Sequence, residues 1–332
     1  MSGLKIKQEW MQKTVVVWFG ALLCCLLWGS AFPCIKIGYR LFEVDAADTA
    51  SQILFAGCRF TLAGILAAGI GSVMEGPGVR NTQYTETGVK LLNVANLIDG
   101  KVDMLRKAAK EIIWLSLLQT IIQYFFFYMG LAHTSGVKAS IIEAVNVFIA
   151  ILVAGFLFHQ EKITSRKITG CILGFAGVVL INLNGMNFQF SLAGEGAIFF
   201  STIAYAFSSV FVKKFSQKFN PVMLSAYQFI IGGIVLMAAG GVMGGHITKV
   251  TPSGIGLLVY LALVSAVAYS LWGILLKYNP VSRVTVFGFM NPVFGVLLSA
   301  LLLGETDQAS GILGLLSLLL VSVGIYVVNS GK

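Results

Sequence analysis

Charge is the scarcest commodity in this chain. Asp, Glu, Lys and Arg together make 11% of 332 residues, against roughly 25% in soluble globular proteins. Too little polar surface remains to clothe a water-soluble fold of this length. Histidine is nearly absent, with three residues, His133, His159 and His246, scattered at the edges of apolar runs. No metal-ligating spacing is formed, and no cofactor is expected. The five cysteines all fall in apolar segments without a CxxC pair, so they read as small packing residues. No GxxxxGK[ST] loop occurs, which argues against ATP drive within this chain. Proline is also rare, with six residues.

Apolar residues fill the space that charge leaves. They make 57% of the chain, and 37 glycines accompany them. A helix needs about 20 apolar residues to cross a bilayer. Hydropathy places ten such segments, at 14–38, 50–74, 111–132, 136–158, 167–185, 193–213, 220–244, 254–276, 283–303 and 310–329. The expected fold is therefore an all-α integral membrane protein with ten transmembrane helices. The first apolar run reads as a retained span, without a cleavage pattern followed by a soluble domain.

A net charge of +9 could suggest nucleic acid, but the charge is spread over short connections, so no nucleic acid is expected as a partner. Lys and Arg gather on alternate connections, leaving Lys36, Arg40, Lys138 and Lys249 at the opposite ends. By the positive-inside rule both termini are cytoplasmic, in a multi-pass protein of the plasma (inner) membrane. Residues 75–110 form one long polar connection. Its part from Gly88 to Lys110 has approximate helical spacing and reads equally as a surface-lying amphipathic helix or as a solvated loop.

The chain also repeats itself. Phe60, Gly64, Gly71 and Met74 recur at one offset as Phe229, Gly233, Gly240 and Met243. At a second common offset Tyr124 matches Tyr269, Lys138 matches Arg283 and Asn146 matches Asn291. Five spans per copy is odd, so the second copy enters from the other face: two inverted five-helix repeats, 1–185 and 193–332. Duplicated bundles suit carriers, whose halves rock about a shared site.

Several short motifs resemble those of the drug/metabolite transporter superfamily, in its EamA-like ten-span branch. They are Trp28-Gly29-Ser30-Ala31-Phe32, the Arg59-Phe60 pair, and the span endings His159-Gln160-Glu161 and Leu303-Gly304-Glu305. Asn291-Pro292 keeps the family's proline, whereas Val147 stands at the paired position; the resemblance then predicts no helix distortion in span four. It implies a secondary transporter of a small organic solute (an amino acid, metabolite or drug-like compound), usually outward in bacteria.

Glu143 is the leading site candidate. Ser140, Glu143 and Asn146 share a helical face, and a carboxylate in a span costs about 2.5–3.5 kcal/mol unless paired, protonated or wet. It could bind a cationic group or a coupling proton, or serve as a structural partner of Arg59. Arg59 itself reads as a clamp to backbone carbonyls or to Glu143, with anion or carboxylate recognition as the alternative. Glu161 and Glu305 read as structural ion-pair or cap residues at helix ends. Polar and aromatic residues at helical spacing sketch a substrate cavity: Trp28, Gln123, Tyr124, Asn146, Tyr205, Tyr269, Trp272 and Asn291. Gln119 shares the Gln123 face on regular helical spacing. A lipid-acting membrane enzyme or a non-transporting sensor or scaffold are the alternatives; for the first, no nucleophile, base or metal constellation stands out. Membrane lipids and a solute are the expected partners, and monomer and homodimer stay open.

Overall fold

The computed structural model describes residues 8–45, 47–75, 94–134, 136–181, 190–303 and 312–330. Among them there is no strand. Ten principal helical rods follow one another. They are α1 (Thr14–Phe42), α2 (Thr49–Glu75), α3 (Val94–Leu115, Ser116–Ile122 and Gln123–Leu131), α4 (Gly136–Ala144, Asn146–Leu152 and Val153–Leu157) and α5 (Ser165–Ile181). The second set is α6 (Leu192–Gly196 and Ala197–Phe215), α7 (Pro221–Val242), α8 (Pro252–Tyr278), α9 (Val281–Thr285, Val286–Phe289 and Met290–Leu303) and α10 (Ile312–Asn329).

Local chemistry explains several boundaries. Asn220 accepts the Val222 N–H at 2.9 Å, with Pro221 opening α7. Thr251 does the same for Gly254 at 3.1 Å, with Pro252 opening α8. A short polar cap followed by proline satisfies orphan donors and presets the first helical φ. Asp48 accepts the Ser51 N–H at 3.0 Å and its hydroxyl, capping the first turn of α2. These bonds, the hydroxyl first, hold the Asp48 carboxyl below its usual pKa.

Among the described residues seven helices are long and apolar enough to cross a membrane, and Ile141–Leu157 and Gly314–Asn329 are shorter apolar helices. Ten full spans are therefore more than the helix lengths alone establish. The described part of the polar connection, from Val94, runs without a break into α3; residues 76–93 lie outside the described set.

Two antiparallel pairs dominate the packing. α2 lies against α7, and α5 against α10. In the first pair, a Cβ on Gly57 would meet the Gly233 carbonyl at 2.8 Å, while one on Gly64 would meet the Ala226 carbonyl at 2.6 Å. As one number rises the other falls, so the helices run in opposite directions. Only hydrogen fits at such crossings, where backbones touch. In the second pair Gly170 abuts the Gly324 carbonyl, and the Ser317 hydroxyl donates to the Gly177 carbonyl at 2.7 Å. α1 packs on α8 and α9, and α6 packs on α3 and α4.

The proline-free span four is distorted after all. Val145 interrupts α4, its N–H turning back to the Ile142 carbonyl at 3.0 Å. The Asn146 amide donates to the Glu143 carbonyl at 2.7 Å. A side chain thus offers the backbone an alternative partner, which favours a break. In α9 the corresponding carbonyl, that of Gly288, faces Pro292, which has no N–H to give, and Val286–Phe289 tightens to a 3-10 turn.

Candidate functional site: an aromatic cavity across both sets of helices

The inner walls of α1, α2, α3, α4, α6, α8 and α9 enclose a cavity of about 460 Å³. Its aromatic floor is tied together by edge contacts. Trp28 meets Tyr269 and Trp272, each at 5.0 Å between ring centroids. The Tyr124 and Tyr269 hydroxyls are 2.6 Å apart. Beneath them Phe60 stacks on Phe229 at 5.2 Å, with Phe60 against Tyr124 and Phe229 against Tyr269.

The structure gathers Trp28, Gln123, Tyr124, Glu143, Asn146, Tyr205, Tyr269 and Asn291 around one space. Trp272 stands behind Trp28 and outside the lining. Arg59 also lines the cavity. Its Nε donates to the Leu261 carbonyl at 3.3 Å and its Nη2 to the Ser265 hydroxyl at 2.9 Å, and its guanidinium lies 5.1 Å from the Phe60 ring. Five N–H donors exceed these two acceptors. Among the described residues no ion pair joins Arg59 to Glu143, and the Glu143 side chain makes no hydrogen bond.

Other polar atoms at the wall are buried without partners among the described residues: Trp28 Nε1, Gln123 Oε1 and Asn291 Oδ1. Buried polar groups normally find hydrogen bonds, so a cavity lined by several can receive a ligand that supplies them. Opposite Glu143, the equivalent position in α9 is Gly288, where a Cβ would meet only Val147 at 3.4 Å and Asn146 at 3.9 Å. That wall is carved back.

Gln119 and Gln123 diverge. The stretch Ser116–Ile122 is a π-helix, whose wider turn undoes the expected stacking of residues four apart. Gln119 accepts from the Gln228 amide at 3.0 Å in a dry contact, and only Gln123 reaches the cavity. Glu161 sits far from the cavity lining. It accepts the Ser282 N–H at 2.9 Å and pairs with Lys167 at 2.6 Å. Glu305 and the side chains of Lys138 and Ser140 lie outside the described residues.

Sequence reasoning passed over Phe32, Lys36, Tyr39, Phe127, Tyr128 and Leu131, all on the wall. The signal was present. Trp28, Phe32, Ile35 and Tyr39 continue one stripe of α1, and Tyr124, Phe127, Tyr128 and Leu131 one stripe of α3. Lys36 also counts among the charges at a span's outer end, which is a property of its position and not of where its side chain points.

Comparison with known proteins fits this architecture. The model of the EamA-like transporter family matches residues 16–183 and 192–330. An uncharacterised transporter of Archaeoglobus fulgidus is 27% identical over 94% of this chain and 98% of its own. The uncharacterised inner membrane transporter YedA of Escherichia coli K12 is 28% identical over 93% and 92%. A crystal structure superposes with a TM-score of 0.70 at 16% identity, covering 95% of this chain and 96% of the other, a likeness of fold. The protein is thus a multi-pass membrane protein, and the chain belongs to the EamA-like transporter family.

Proposed function

We propose that the protein is a secondary transporter that moves a small organic solute by alternating access, as an exporter. In this reading ten helices form two inverted five-helix halves, 1–185 and 193–332, in the plasma membrane with both termini cytoplasmic. Three observations support the doubling. The family model matches in two stretches that coincide with the halves. The packing is symmetric under exchange of the halves: α1 on α8 and α9 answers α6 on α3 and α4. The equivalent helices α2 and α7 run antiparallel, as an inverted repeat requires.

The observation that carries the function is the cavity shared by both halves, with aromatic walls and an unpartnered carboxylate. An ionisable group inside a bundle marks a substrate or proton pathway. Glu143 takes a cationic group of the solute or a coupling proton, and Asn146, Asn291 and Gln123 orient polar groups against the Trp28, Tyr124, Tyr205 and Tyr269 rings. The test is flux in proteoliposomes over a panel of amino acids, organic cations and nucleosides, preceded by a thermal-shift screen, since a ligand bound to the native state raises apparent stability. Glu143→Gln should abolish or sharply lower the flux and flatten its pH dependence. Unchanged flux and pH profile would remove Glu143 from the mechanism.

A further inference from the structure

We propose that Glu161 is the keystone of a clamp that shuts the cavity at the end opposite its mouth, and that transport requires this clamp to open. The proposal rests on the alternating-access reading. The cavity-lining residues of α1 run from Trp28 toward its C-terminal end, and those of α9 from Gly288 toward Ser299. The cavity therefore extends toward the end where Glu43 pairs with Lys249 at 2.8 Å. Glu161 lies at the other end, beside the start of α9.

The connection after α4 turns through His159, whose φ is 51°. It delivers Glu161 to the corner between α8 and α9. There the carboxylate accepts the Ser282 N–H at 2.9 Å, the Ser282 hydroxyl, and the Lys167 ammonium at 2.6 Å. Its side chain is 5% exposed. A carboxylate at a helix N-terminus meets both the free N–H groups and the positive end of the helix dipole, and such charge-assisted bonds are the strong ones.

What distinguishes this contact from an ordinary cap is its span. Glu161 and Lys167 belong to the first half, and Ser282 to the second. Neighbouring ties join the halves at the same end: the Gln12 amide donates to the Tyr278 carbonyl at 2.9 Å, and the Asn279 amide to the Met11 carbonyl at 3.1 Å. Rocking of the halves must part Glu161 from Ser282. α9 transmits the event, because the rod that starts at the clamp carries Gly288 and Asn291 on the cavity wall. The 3-10 turn Val286–Phe289 supplies a joint between Ser282 and Asn291.

The experiment is sided labelling. The full chain carrying Asn146→Cys is placed in oriented vesicles and exposed to a membrane-impermeant maleimide from either face, with the protein lacking that cysteine as background. With the clamp intact, position 146 should label from the mouth face. Adding Glu161→Gln should raise labelling from the opposite face by about tenfold, the effect of losing a charge-assisted bond. Ser282→Ala keeps the backbone donor and guards against misfolding; it should shift labelling the same way by a smaller factor. Labelling that stays one-sided in both variants overturns the clamp and leaves the access reading intact. Labelling from neither face, or equally from both, with the clamp intact overturns the access reading and the clamp with it.

Discussion

Arg59 and Gln228 are paired at the same sequence offset as Phe60 and Phe229, and each bonds to a neighbouring helix at positions that are themselves paired. Arg59 of α2 reaches Leu261 and Ser265 of α8. Gln228 of α7 meets Ser116 and Thr120 of α3, residues that correspond to Leu261 and Ser265. The chemistry differs. Gln228 is fully buried and spent: its Oε1 accepts from Thr120 at 2.7 Å, its Nε2 donates to Gln119 at 3.0 Å, and its backbone carbonyl takes the Ser116 hydroxyl. Arg59 keeps donors in reserve and lines the cavity. The same split recurs at Glu143 against Gly288. One geometry was used twice, once as dry internal scaffolding and once as a charged wall.

The sharpest way to break the comparison is to make the first site resemble the second. Arg59→Gln should lower solute flux by about tenfold or more, equivalent to ~1.4 kcal/mol, with a smaller loss of thermal stability, measured on the same preparation. The converse variant should reverse that ranking. Gln228→Leu orphans the Thr120 hydroxyl and the Gln119 oxygen, each a penalty of about 1–3 kcal/mol; unfolding temperature should fall more than flux per folded molecule.

The helix crossing offers a symmetric test. Gly64→Ala and Gly233→Ala each drive a methyl group to within 2.6 Å of backbone in the partner helix. Both should destabilise by about 1–3 kcal/mol, and nearly equally. Gly69→Ala, with nothing within 4 Å, is the control, neutral or stabilised by about 0.5–1 kcal/mol through helix propensity.

The smallest effect concerns the caps of two helices, Asp48 for α2 and Asn220 for α7. Asp48→Ala should cost about 1 kcal/mol. Because Ser51 holds the folded-state pKa of Asp48 below its ordinary value, the contribution of Asp48 is full above the ordinary carboxylate range. It fades as pH falls through the lowered value. Asn220→Ala should show no such acid dependence. Thermal melts of the two variants across pH 3–7 separate them, and parallel profiles would contradict the assignment.

These contrasts bear on what a sequence can disclose. Apolar runs, the paired motifs and the crowding of Tyr124, Asn146, Tyr269 and Asn291 were readable because helical spacing and duplication act on whole segments. The π-helix at Ser116–Ile122 was not, since a hydrogen-bonded loop one residue wider leaves hydropathy unchanged while shifting the phase between Gln119 and Gln123. The break at Val145 is hidden for a related reason: no proline marks it, and the Asn146 amide supplies the alternative bond. Trp272 had the right spacing but the wrong depth, because Trp28 covers it.

The Tyr124–Tyr269 and Phe60–Phe229 contacts carry a separate consequence. Each joins two residues that the sequence repeat pairs, so under the proposed inverted repeat each pair sits on the axis that exchanges the halves. A point on that axis is a fulcrum: when the halves trade conformations, it keeps its neighbour. If the proposed alternating access holds, these rings should keep their mutual geometry in both states. They also had to be self-complementary from the start. A phenol can give and accept with its twin, whereas a lysine or a glutamate would repel its copy. Charge could enter this centre only away from the axis, one copy at a time, as Arg59 and Glu143 have it.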